Sequence, residues 1–108
     1  METTWKMDPE LKSRWVAALR SGKYAQGRHS LRSADDKFCC LGVLADVLAP
    51  EDWEKREHAE QDYRFQGTKH TLRWEEVPYT VQGDLVNLND IAPRKSFTEI
   101  ADWIEENI

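Results

Sequence analysis

The sequence predicts an α+β domain, about three main helices packed around a small antiparallel sheet or hairpins. Three observations predict it. Three stretches carry apolar residues at helical spacing, and their ends carry stop or start signals. Between the second and third, short runs rich in Tyr, Phe, Thr and Trp flank a Gly-containing turn, as strands do. With 108 residues the chain can close one core, so residues 1–108 form a single globular domain.

Asp8-Pro9 opens the first helix, aspartate accepting from free backbone amides and proline suiting the first helical position. Leu11, Trp15, Ala18 and Leu19 make its apolar stripe. Arg20 complements the dipole in the last turn, and Gly22 ends the helix. Lys23 to Arg32 reads as a short irregular hairpin or loop, anchored by Tyr24 and Leu31 and reversed at Gly27. Ser33 to Asp36 is a turn. From Phe38, the residues Leu41, Leu44, Ala45 and Leu48 recur at helical spacing, and Val43 and Val47 widen the stripe until the helix is buried on most sides. Gly42 inside it costs about 1 kcal/mol relative to alanine. That cost is tolerable where another backbone packs closely. Pro50 stops the helix.

Glu51 to Gln61 is polar around Trp53 and suits a short surface helix. Tyr63-Arg64-Phe65 and Thr71-Leu72-Arg73-Trp74 resemble two strands around a loop. Pro78 and Gly83 punctuate the next link. Leu85, Val86 and Leu88 then form a short helical turn whose end presents Asn89 and Asp90. Ser96-Phe97-Thr98-Glu99 is a capping box, and Phe97, Ile100, Ala101, Ile104 and Ile108 make the stripe of the last helix, with Trp103 to one side.

Apolar content of 40% with five tryptophans fits a packed protein. No apolar run approaches the roughly 20 residues that span a bilayer. The first ten residues lack the basic and apolar blocks of a signal peptide. A soluble, intracellular protein is expected. The two cysteines, Cys39 and Cys40, are neighbours and have no other partner for a disulfide. His29, His58 and His70 lack metal-ligand spacing, so no metal is expected. A net charge of −5 argues against duplex nucleic acid and anionic membrane as partners.

The charge is uneven. Glu51 to Asp62 holds six acidic and two basic residues, whereas Arg20 to Lys37 concentrates Arg20, Lys23, Arg28, Arg32 and Lys37. Lys23, Arg28 and Arg32 on a Gly-containing loop can surround a phosphate, arginine giving forked bonds and lysine a point charge. Tyr24, with Phe38, offers a stacking face to a base, and Gln26 lies in the same loop. Asn89 and Asp90 can bond base edges or ribose hydroxyls if the fold brings them near. The competing account is plain: basic side chains solvate a turn, Tyr24 packs on the first helix, and Asn89-Asp90 caps a helix end. No cofactor-binding Gly motif is present.

Cys39 and Cys40 admit two accounts. Near a helix N-terminus beside Lys37 a thiol becomes nucleophilic, with His29 as base. Between Phe38 and Leu41 it behaves as a small buried hydrophobe instead. No third orienting group stands out, so no catalytic residue is assigned and a non-enzymatic protein is expected. Trp53 is the best candidate for an exposed contact, because its neighbours are so polar.

LRSGKYAQGRHSLR, FCCLGVLADVLAP and LNDIAPRKSFTEIADWIEENI together resemble a small protein family spread through bacteriophage and prophage genomes. The central stretch, Glu51 to Val81, has no counterpart in that resemblance. It implies a phage accessory protein acting in the host cytoplasm. Proteins of this kind counter host defence by sequestering a nucleotide signal or by blocking a defence protein. The expected partner is therefore a small anionic, nucleotide-like ligand, and the alternative is a host defence protein. A homodimer would fit the first, since two copies build a deep pocket more easily than one.

Overall fold

The structure is a computed structural model and describes residues 5–55, 62–65 and 77–108. In chain order these form α1 (Pro9–Arg20), β1 (Ala25–Gln26), β2 (Lys37–Phe38), α2 (Cys40–Leu48), a 3₁₀ turn (Pro50–Asp52), β3 (Trp53–Glu54), β4 (Arg64–Phe65), α3 (Tyr79–Asp90) and α4 (Phe97–Asn107). The α+β class holds, with four α-helices among the described residues and two small two-stranded pairings.

The helix ends follow their residues. Asp8 Oδ2 accepts the Leu11 N–H at 3.0 Å and Pro9 takes the first helical position of α1. The chain leaves α1 through Gly22 at φ 78°, a conformation open to glycine at no steric cost. In α4 both halves of the capping box form: Ser96 Oγ accepts the Glu99 N–H at 3.2 Å, and Glu99 Oε1 accepts the Ser96 N–H at 3.1 Å. That bonding holds the Glu99 carboxyl below its usual range.

The core lies where α1 meets α2 and α4, and where α3 closes on α2 and α4. Trp15, Leu44, Leu85, Ile100 and Ile104 are fully buried there. The Trp15 indole N–H donates to the Cys40 carbonyl at 3.0 Å, so the one polar atom of that large ring is satisfied at the start of α2. The Met7 N–H donates to the Ile108 carbonyl at 3.0 Å, joining the chain before α1 to the end of α4. Arg20 bridges α1 to α4 through Asp102 at 2.6 Å and Glu105 at 2.5 Å.

Gly42 is explained by a neighbour. A Cβ built there would lie 1.8 Å from the Leu31 carbonyl oxygen. The loop backbone therefore rests directly on α2, the close approach that offsets glycine's poor helix propensity.

Four elements differ from expectation. α3 is a twelve-residue helix, not a single turn. Pro78 sits before its first residue, where no amide is needed, and at Gly83 a Cβ would meet nothing within 4 Å. Val81, Leu85 and Asn89 are buried at i, i+4 and i+8, and that burial outweighs the glycine's cost. β1 and β2 pair in parallel, Gln26 beside Phe38, because the intervening loop returns on the other side of β2: Arg32 bridges Phe38 antiparallel there. α2 begins at Cys40 rather than Phe38, since Cys39 is its N-cap. In place of the surface helix expected over 51–61, a 3₁₀ turn leads from Pro50 into β3, which pairs antiparallel with β4, Trp53 opposite Phe65. Residues 56–61 and the expected strand at 71–74 lie outside the described residues.

Candidate functional site

The loop from Lys23 to Arg32 and the pair Asn89-Asp90 do meet in space, but through internal hydrogen bonds. Asn89 is fully buried at the last turn of α3. Its Nδ2 donates to the Gly27 carbonyl at 2.8 Å and to Asp90 Oδ1 at 2.7 Å, and its Oδ1 accepts from Gln26 Nε2 at 2.9 Å. Gln26 Nε2 also donates to the Lys95 carbonyl at 2.8 Å. Asp90 Oδ2 accepts the His29 N–H at 3.2 Å and lies 3.6 Å from His29 Nδ1. The end of α3 thus clasps the loop. A buried amide with both ends bonded is a structural fastener.

Tyr24 and Arg32 are engaged elsewhere. The Tyr24 hydroxyl donates to Asp46 Oδ2 at 2.5 Å. Burial first, and that bond to a carboxylate second, push its pKa up to about 12. Tyr24, Phe38, Trp53 and Tyr63 form an edge-to-face row with centroid spacings of 5.0, 5.9 and 6.5 Å. The Arg32 guanidinium lies 3.8 Å from the Tyr63 ring centroid and bonds Asp36 Oδ1 from Nε at 3.0 Å and Nη2 at 2.7 Å. Stacking and a forked carboxylate bond hold that cation against the row. Trp53, expected as an exposed contact, is half-buried, and its indole N–H donates to Asp46 Oδ1 at 2.9 Å. Lys23 and Arg28 remain exposed, and neither side chain has a hydrogen bond or ion pair among the described residues.

Both cysteines are core. Cys39 Sγ accepts the Gly42 N–H at 3.4 Å as the cap of α2, and Cys40 Sγ–H donates weakly to the Leu85 carbonyl at 3.6 Å. Burial raises both thiols, Cys40 well above the ordinary value. The helix N-terminus and Lys37 do not overcome that desolvation, so neither thiol is poised as a nucleophile. Among the described residues no three His, Cys, Asp or Glu side chains converge on a metal-sized point, and no helix is long and apolar enough to cross a membrane.

The surface that sequence reasoning missed lies on α3. Tyr79, Val86 and Ile91 are the large apolar side chains exposed among the described residues, and all three belong to α3 or its cap. Val86 falls out of phase with the buried Val81, Leu85 and Asn89. That phase break was the available signal, and it needed α3 to be recognised as one helix.

No curated protein and no solved structure matches the chain. A family model does, over residues 7–81, which take in α1, the clasped loop, β1 to β4, α2, the 3₁₀ turn and the start of α3. The chain belongs to the family described as a domain of unknown function, DUF8296.

Proposed function

We propose that the chain is a non-catalytic protein-binding module whose contact surface is the outer side and C-terminal end of α3. One observation carries it: Tyr79 at 90%, Val86 at 40% and Ile91 at 59% exposure collect on one helix of a chain that is 32% charged. Exposed apolar side chains scattered singly mean nothing, but their collection on one element marks interaction surface. A place in phage genomes, a host cytoplasmic setting and a defence protein as target rest on the sequence resemblance and belong to the same proposal. The test places a photo-crosslinking residue at Val86, at Ile91 and, as control, at the half-buried Lys12 on α1. Crosslinks to one host protein from the two α3 positions and none from Lys12 support the proposal. Crosslinks from Lys12 alone contradict it.

A second reading, binding of a small phosphorylated ligand, is favoured by Lys23 and Arg28, exposed and unpaired among the described residues. Calorimetry against cyclic dinucleotides, cyclic ADP-ribose isomers and related nucleotides tests it. No binding tighter than about 100 µM, roughly −5.5 kcal/mol, would end it.

A further inference from the structure

Beside the exposed α3 side chains, an open groove runs between the C-terminal half of α3 and α4. Two adjoining concavities of about 440 and 290 Å³ share Leu88, Lys95 and Trp103. Ile91 and Pro93 extend the apolar floor at one end. The rim is acidic: Asp84, Glu99, Asp102 and Glu106 line it, with Lys95 3.9 Å from Glu99 and Arg20 paired to Asp102 at 2.6 Å, which leaves Asp84 and Glu106 unpaired among the described residues. Trp103 is half-buried there, and its indole N–H has no acceptor among the described residues, whereas Trp15 and Trp53 bond theirs internally.

We infer that this groove receives a cationic segment of a protein partner, one apolar side chain seated on Leu88 and Trp103 with lysine or arginine flanking it over the rim. The inference rests on the protein-binding reading above and names the partner's chemistry. Charge complementarity selects the occupant. Four carboxylates against Arg20 and Lys95 leave the rim net negative, and the unpaired Asp84 and Glu106 attract a basic segment and repel nucleic acid, anionic lipid and a second copy of the same face. A tryptophan with a free donor in an apolar depression is the kind of residue on which binding energy concentrates.

Selection of a random dodecapeptide display library on the full chain tests this. Three variants of unaltered circular dichroism serve as comparisons: Trp103→Ala, the double variant Asp84→Lys/Glu106→Lys, and Lys23→Ala/Arg28→Ala. The expected winners carry an aromatic or aliphatic anchor between basic residues. Their affinity should fall at least tenfold on the charge-reversed variant and on Trp103→Ala, and stay unchanged on the loop variant. Should Trp103→Ala lose its fold, the charge-reversed variant, altered only at the rim, decides alone. Winners that bind the charge-reversed variant as well as the parent overturn the groove while leaving α3 a protein-binding surface. Failure to enrich any peptide overturns both.

Discussion

At Gly42 a single atom fixes the residue. With the Leu31 carbonyl 1.8 Å from the position of a Cβ, Gly42→Ala forces loop and helix apart. It should cost about 3 kcal/mol or more, read as a fall in the urea midpoint. Gly83→Ala is the internal contrast. A Cβ there meets nothing within 4 Å, so the variant should gain roughly 0.5–1 kcal/mol in the same assay. Asn89→Ala removes the amide that joins Gln26 to the Gly27 carbonyl and should cost about 2–3 kcal/mol, since it leaves buried groups unpaired. The suspicion that Gly42 needed a close backbone came from its place in an apolar helix. Which backbone was invisible, because Leu31 reaches it only through tertiary packing. Asn89 was singled out by residue type, but its loop partners Gln26 and Gly27 were out of reach, lying more than sixty positions upstream. Asp52 stands apart, buried with both carboxylate oxygens unbonded among the described residues. Asp52→Leu should therefore be neutral or stabilising by about 1–3 kcal/mol in thermal melts.

Helices whose ends carry their own signals were legible: α1 from Asp8-Pro9 to Gly22, and α4 from its capping box. Ser96→Ala tests that locality. It should cost about 1 kcal/mol and leave the fold intact by circular dichroism. α3 was not legible as a whole, because Pro78 and Gly83 read as punctuation when taken singly. Its helicity comes from burial of Val81, Leu85 and Asn89, the last against the loop at Gln26 and Gly27. The parallel pairing of β1 with β2 was likewise beyond local signals, since it depends on the loop passing both sides of Phe38. At α2 the cysteines make a chemical prediction. Under native conditions iodoacetamide should modify Cys39 and Cys40 no faster than the protein opens, and promptly in denaturant. Rapid native labelling of either would contradict their assignment to the core.

Across the molecule, charge and apolar surface are laid out by tertiary contacts that composition could not disclose. The basic island looked like a site because five cations fall close together in sequence. Folded, Arg20 pairs with α4, Arg32 stacks on an aromatic row and Lys37 lies 3.6 Å from Asp35, leaving Lys23 and Arg28 unpaired among the described residues. Tyr24 ties that row to Asp46, and its raised pKa has a consequence at high pH. A folded value above the unfolded one near 10 means that the folded state holds the proton more tightly. The associated stability is fully present below about pH 10 and is lost as pH rises through about 12. Tyr24→Phe should flatten that decline relative to the parent in denaturant titrations at pH 9 and 11. The central claim is that α3, not the loop, meets the partner. It is tested most directly by comparing Val86→Glu/Ile91→Glu with Lys23→Ala/Arg28→Ala in affinity capture from host lysate. The α3 variant should lose the protein that the parent retains, and the loop variant should keep it. Loss by the loop variant with full retention by the α3 variant would contradict the account.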